Sequence, residues 1–396
     1  MRSCITLLSF AFLLLFACQS ESNQQANTES PNEETGFVAR PQKVARQDVR
    51  PLAIGESAPA FKLIGTDGKW YSLQDFAEAK VLVVLFHCNH CPTAQAYEDR
   101  FIQVVKDYEN QDVAFVAISP NSPISTLYGE FGYSDLDDSY EAMQIRAEHK
   151  GYNFPYLYDG DTQEASIQYG PVATPHAFVF NAQRKLAYRG RLDGSEKPGT
   201  GNAEDLRQAL DQLLAGEEVS NPETKTFGCT TKWAWKTEWK EKVYAEWDRR
   251  SVELQKISVE GIKELIANPS DKLRLINVWA TWCGPCVIEY PELLVTHRMY
   301  QGRDFEFISL SADKPEHGAQ ALKFLKKVHS PVSNYIFDQD DPYLLAETLD
   351  PDWNAALPYT LLVEPGGKVA YRHEGLLDML ALRRAIVEHE MIGRYY

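Results

Sequence analysis

Basic charge is scarce. The 396 residues carry 40 Lys+Arg against 56 Asp+Glu, a formal net charge of −16. A sequence-independent nucleic-acid binder needs surplus basic charge to displace counterions, so the composition argues against that class. Long apolar runs are nearly absent too. The only one, residues 5–17 (ITLLSFAFLLLFA), is too short and too close to the N-terminus to span a bilayer as a mature helix. No G-x-G-x-x-G or G-x-x-x-x-G-K fingerprint occurs, which argues against direct use of NADPH or a flavin. Cysteines number seven, an odd count, and their spacing matters more than their number. Core-forming residues, by contrast, are plentiful: 44% of the chain is hydrophobic and 12% aromatic, which excludes wholesale disorder.

The N-terminus reads as an export signal. Met1-Arg2, the apolar run and then Cys18 with the polar run 19–23 predict a secretory leader over residues 1–17. Leu15-Phe16-Ala17-Cys18 resembles a bacterial lipoprotein cleavage box, which makes Cys18 the expected lipidation site; an ordinary leader with an incidental cysteine is the alternative. Residues 19–36 are polar and lack the apolar surface to fold. Residues 18–50 are therefore expected to form a lipid-anchored flexible tether, holding a soluble body in the cell envelope of a bacterium.

The body repeats one plan. Residues 80–86 (KVLVVLF) and 273–279 (LRLINVW) are continuous apolar runs, suited to strands buried on both faces. Each leads into a C-x-x-C pair, Cys88/Cys91 and Cys283/Cys286, and then into helical spacing over 93–109 and 287–300. Further strands follow over 113–118, 177–180 and 186–188 in the first copy, and over 305–310, 359–363 and 368–371 in the second. Closing helices are predicted over 203–215 and 377–390. The alternation predicts an α/β fold, a central mixed sheet flanked by helices, occurring in tandem over 51–218 and 252–396. Between them, 219–251 is rich in tryptophan. Trp235, Trp239, Val243 and Trp247 share one helical face. That face is expected to pack across both domains; a docking face for a partner or lipid headgroups is the alternative.

The chemistry follows from the cysteine spacing. A sulfur at or next to a helix N-terminus is stabilised as the thiolate by unsatisfied N–H groups and the helix dipole. A second sulfur one turn on can resolve a mixed disulfide. Cys88 or Cys283 is expected to attack, and Cys91 or Cys286 to resolve.

Trp279-Ala280-Thr281-Trp282-Cys283-Gly284-Pro285-Cys286, with Glu289 and Pro291, resembles the thioredoxin superfamily, and within it the TlpA/ResA-like reductases. The first copy is similar to the peroxiredoxin-like redoxin (AhpC/TSA-type) branch, on residues 54–61, on Cys88-Asn89-His90-Cys91-Pro92 with Tyr97–Arg100, and on Gly228-Cys229-Thr230-Thr231-Lys232-Trp233. It departs from peroxiredoxins before Cys88, where Val81 and Leu85 stand in place of the family's Pro and Thr. Peroxidase chemistry by that mechanism is therefore not expected.

The resemblance implies two thioredoxin-like domains and a thiol–disulfide oxidoreductase whose redox groups are its own disulfides, with no other cofactor. It also implies cis prolines facing each pair, at Thr174-Pro175 and Leu357-Pro358, where a substrate chain pairs in extended form. Implied partners are disulfide-containing client proteins and a membrane thiol reductant, with the membrane reached through the lipid anchor. Glu289 is implied to influence the second pair. Cys229 takes either a redox role or that of a buried small hydrophobe. A cationic His90 near Cys88 would make the first pair the stronger oxidant, drawing electrons from Cys283/Cys286. A competing reading is a copper or zinc module using His87, Cys88, His90 and Cys91. A scaffold docking partners through the Trp-rich segment ranks last.

Overall fold

The computed structural model describes residues 36–394. The expected leader with Cys4, the lipidation site Cys18 and tether residues 19–35 lie outside the described residues.

The first half contains β1 (Lys62–Gly65), β2 (Trp70–Ser72), β3 (Val81–Phe86), α1 (Pro92–Asp107), β4 (Val113–Ser119), α2 (Tyr140–Lys150), β5 (Tyr156–Tyr158), α3 (Glu164–Tyr169), β6 (Ala173–Thr174), β7 (His176–Phe180), β8 (Leu186–Gly190) and α4 (Glu204–Ala215). Strand β9 (Cys229–Thr230) and helix α5 (Thr237–Asp248) follow. The second half holds β10 (Gln255–Ile257), α6 (Val259–Ala267), β11 (Leu273–Trp279), α7 (Gly284–Tyr300), β12 (Phe305–Ser311), α8 (Gly318–Lys327), β13 (Ser333–Phe337), α9 (Pro342–Leu349), β14 (Tyr359–Val363), β15 (Val369–Glu374) and α10 (Met379–Val387).

Two mixed sheets result. One runs β2-β1-β5-β4-β3-β7-β8 and the other β10-β13-β12-β11-β14-β15. In each, the strand before the cysteine pair is central, parallel to one neighbour and antiparallel to the other: β3 lies between β4 and β7, β11 between β12 and β14. Successive strand side chains point to opposite faces, and here both faces are covered. Val81, Val83 and Leu85 enter one core, while Leu82, Val84 and Phe86 enter the other. In β11, Leu273 and Leu275 take one face and Ile276 and Val278 the other. This rigid centre fixes the position of each pair.

Residues 120–138, between β4 and α2, reach from the first half to the second. Phe131 inserts into the core that contains Cys283 and Cys286. Tyr300 Oη donates to the Ser134 carbonyl at 2.8 Å and Arg303 to that of Gly132 at 2.7 Å. Buried Asp135 pairs with Arg384 at 3.1 Å and Arg394 at 2.8 Å.

Two expectations need correction. Residues 37–50 form no helix or strand, but they are not free tether. Phe37 packs edge-on against Trp70, Tyr140 and Tyr158, and the N–H groups of Arg40 and Gln42 donate to Asp161. One aromatic residue with a slot to fill is enough to lay the segment on the body. The tryptophan face of α5 is also only partly buried. Tyr244 stacks on Tyr128 with ring centroids 5.1 Å apart, and Trp247 is buried beside His297 and Arg298 of α7. Trp239 is 60% exposed, because only the C-terminal end of α5 meets both halves. Among the described residues, no helix is long and apolar enough to cross a membrane.

Candidate active site

Cys283 is the N-cap of α7 and accepts the Cys286 N–H at 3.3 Å, as expected for a sulfur at a helix start. The two cysteines are joined as a disulfide. Thr281 holds the preceding turn by donating to Asp313 at 2.6 Å. Cys283 is 6% exposed and Cys286 1%, but neighbouring Trp282 is 69% exposed. Trp282 lines an open groove of about 420 Å³ together with Asp313, Tyr343, Ala355 and Ala356. Leu357-Pro358 is cis. Leu357 makes no β-bridge among the described residues.

Glu289 lies one turn after Cys286 and is buried. Its carboxylate accepts from Asn277 Nδ2 at 3.1 Å and from the Leu377 N–H at 3.0 Å. Burial raises its pKa above the ordinary glutamate value, although both hydrogen bonds oppose the shift.

The first pair is built differently. Helix α1 begins at Pro92, so Cys91 rather than Cys88 is the N-cap. Both sulfurs are fully buried, 0% exposed, and both are free thiols. Cys88 Sγ lies 3.0 Å from Thr174 Oγ1. Cys91 Sγ lies 3.1 Å from the Thr174 carbonyl and accepts the Cys229 N–H at 3.2 Å. Burial pushes the Cys88 thiol up, aided by Cys91 and the Asp138 charge. Burial opposes ionisation of Cys91 as well, but hydrogen bonds from Cys229 and Cys88 and the charge of His90 bring it well below the ordinary value. The hydrogen bonds and the His90 charge thus favour the thiolate at Cys91 over Cys88.

The histidines are corrected too. His90 Nδ1 meets Asp138 Oδ2 at 2.5 Å, and Asp138 also accepts from the Asn89 N–H and from Asn121 Nδ2. Burial would lower the His90 pKa, but the Asp138 charge and hydrogen bond raise it. The imidazolium therefore acts on Cys91, while its counter-ion disfavours the Cys88 thiolate. The His90 charge thus bears on the first pair through Cys91 rather than through Cys88. His87 is held at 2.9 Å from Tyr152 Oη and 3.5 Å from Glu98. Against the penalty of burial, His87 and Arg146 hold Glu98 down at about 2.

Of the four residues in the metal reading, the structure groups Cys88 and His90 with Asp138, their ligand atoms within 4.8 Å of one another. Asp138 went unrecognised in the sequence because it sits in the 120–138 insertion, far along the chain from His90; the Asp137-Asp138-Ser139 run before α2 was its only local signal. Thr174-Pro175 is cis, and Thr174 pairs antiparallel with Cys229, which draws Cys229 into the first site.

Residues 54–189 match the AhpC/TSA family and residues 264–378 the Redoxin family. Over 30% of its length the chain is 31% identical to a thiol:disulfide interchange protein DsbE of Pseudomonas aeruginosa, of which it covers 61%. Over 28% it is 26% identical to a thiol-disulfide oxidoreductase ResA of Geobacillus thermodenitrificans, covering 59% of that protein. The chain thus spans about three-fifths of the length of these curated relatives. A crystal structure of an uncharacterized conserved protein from Geobacillus kaustophilus is 37% identical, with a TM-score of 0.41, covering 46% of this chain and 92% of that one. The matched families, set on two sheets that each present a C-x-x-C pair after a central strand, support the thioredoxin superfamily for residues 54–189 and 264–378.

Proposed function

We propose that the protein is a thiol–disulfide oxidoreductase of the bacterial cell envelope, tethered through a lipidated Cys18 after loss of a leader over 1–17. In this reading, domains over 51–218 and 252–396 are joined by the Trp-rich segment 219–251. Its redox groups are its own cysteines, its substrates are disulfide-containing client proteins, and its electrons come from a membrane thiol reductant. The names of the curated relatives support this chemistry.

One observation carries the proposal: Cys283 caps α7 beside exposed Trp282 and next to an unpaired Leu357 edge. An extended client chain can pair along that edge and bring its disulfide to Cys283. When the pair is reduced, the Cys283 thiolate, stabilised by the start of α7, attacks one client sulfur and expels the other as a thiolate. Cys286 then attacks Cys283, closing the disulfide and releasing the client as a dithiol. Glu289 takes up the Cys286 proton.

Insulin reduction by dithiothreitol tests the reading, with the wild type compared against Cys283→Ser/Cys286→Ser and Cys88→Ser/Cys91→Ser. The first double variant is expected to lose the rate enhancement. The second retains most of it, because its sulfurs are sealed from a client. Equal rates for wild type and the Cys283/Cys286 variant would refute the proposal. The grouping of Cys88, His90 and Asp138 favours one second reading, a soft-metal site. Metal content after purification under reducing conditions decides it.

A further inference from the structure

The edge that is open at the second site is closed at the first. There, Thr174 is paired with Cys229 in the β6–β9 ribbon, with Ala173 opposite Thr230. The segment is pinned on both sides. Thr226 Oγ1 donates to the Pro175 carbonyl at 2.8 Å, Thr231 Oγ1 to that of Pro171 at 2.8 Å, and the Lys232 N–H to Asn121 Oδ1 at 2.9 Å. Its approach depends on Gly228, whose φ is +127°; a Cβ there would lie 2.0 Å from the Thr174 carbonyl oxygen. The outcome is a cluster of three sulfurs. Cys88 and Cys91 are fully buried, and Cys229, half-buried, packs against them with its N–H on Cys91 Sγ.

We propose that β9 is a built-in substrate of the first pair: Cys229 stands where the cysteine of an extended client would stand, and the buried pair exchanges disulfides with the outside through a Cys91–Cys229 bond. This rests on the thiol–disulfide reading above and deepens it. The chemistry balances in two stages. With Cys88 and Cys91 oxidised to a disulfide, the Cys229 thiolate attacks Cys91 Sγ. The Cys88–Cys91 bond breaks, its electron pair leaves on Cys88, and Cys88 takes up the proton that Cys229 lost, with Thr174 Oγ1 at 3.0 Å to stabilise the departing sulfur. No net oxidation occurs; the bond has moved toward the surface. A protein dithiol then attacks Cys229, freeing Cys91 as the thiolate. The dithiol's second sulfur closes on its first and releases Cys229. Two electrons and two protons pass to this chain, and the donor becomes a disulfide. Run backwards, the same steps oxidise the first site.

Disulfide mapping of the intact wild-type chain tests this without a variant that has to fold. The reduced protein is titrated with oxidised dithiothreitol and quenched with N-ethylmaleimide. It is then digested without reduction, and its linked peptides are identified by mass spectrometry. The expected result is a Cys91–Cys229 peptide in equilibrium with Cys88–Cys91, together accounting for the oxidised first site. If Cys88–Cys91 forms while Cys229 remains wholly alkylated, or if Cys229 links only to Cys88, the built-in-substrate proposal is wrong and the oxidoreductase reading stands. If no disulfide forms at the first site while Cys283–Cys286 does, both the proposal and a redox role for the first pair are lost. A kinetic measurement adds to this. In a Cys283→Ser/Cys286→Ser background, Cys229→Ser is expected to slow reduction of the first site by dithiothreitol at least about tenfold, the effect of removing the half-exposed sulfur that would pass the bond outward. An unchanged rate counts against the proposal.

Discussion

Glu289 sits one turn after Cys286, clasped by two donors, Asn277 Nδ2 and the Leu377 N–H. Glu289→Gln keeps the shape, but its amide nitrogen must face one of those donors. A cost of about 1–3 kcal/mol is expected in denaturant unfolding. The same change should remove the acid limb of the pH–rate profile for reduction at the second site, because a glutamine cannot take the Cys286 proton; an unaltered profile would end the proton-acceptor role. Buried His176 and partly buried His297 set a separate pH dependence. Burial, with Arg250 and Arg298 nearby, holds His297 down at about 4, and burial holds His176 down at about 3. Between those values and the unfolded value near 6.5, the unfolded chain binds more protons than the folded one. The contribution of these two histidines is therefore full above pH ~6.5 and falls as pH drops toward 4, by roughly 3 kcal/mol for His297, while Asp159, pushed up to about 7 by burial, acts in the opposite sense over the same range. Thermal melts of the wild type and His297→Phe across that range should diverge, the wild type losing more stability on acidification than the variant; parallel pH dependences would contradict the assignment.

Short elements do more at the sites than long ones. Strand β9 spans only Cys229–Thr230, yet it closes the first site. Gly228→Ala forces the β9 backbone away from the Thr174 carbonyl, a strain of about 1–3 kcal/mol. Native-state iodoacetamide labelling of Cys88 and Cys91 is expected to speed up roughly tenfold, as local opening becomes more frequent. Labelling at the wild-type rate would mean that β9 does not gate the pair. The same scale explains what was legible in the sequence. Strands β3 and β11 stand out as unbroken β-branched runs, because both of their faces are buried. The three-residue strands β5 and β10 and the two-residue β9 carry no periodicity to read; partners far along the chain define them. Helix α1 begins at Pro92, one residue before the expected stretch 93–109, so Cys91 rather than Cys88 caps it.

At the scale of the molecule, the two halves are locked by the 120–138 insertion and by α5. Arg298 stacks 3.8 Å from the Tyr244 ring centroid and 4.8 Å from that of Trp247, bridging α7 to α5. Asp135 is the buried anion that Arg384 and Arg394 share. Asp135→Ala leaves both guanidinium groups without it, and a loss of roughly 1–3 kcal/mol is expected, tempered by the partial exposure of the two arginines. Calorimetry should show the second half melting earlier or the transition splitting in two. A single unshifted transition would show that this contact does not couple the halves.

Spacing along the chain was enough to establish the α/β tandem and the two cysteine pairs, because a buried strand and a helix start are local patterns, written in consecutive side chains. It was not enough to rank the sulfurs. Which thiol ionises depends on burial, on the Asp138–His90 pair and on the N–H of Cys229, groups up to 138 residues from Cys91 in sequence. Desolvation and hydrogen bonding act through space, so the closing of one site and the opening of the other emerged only once the chain had folded.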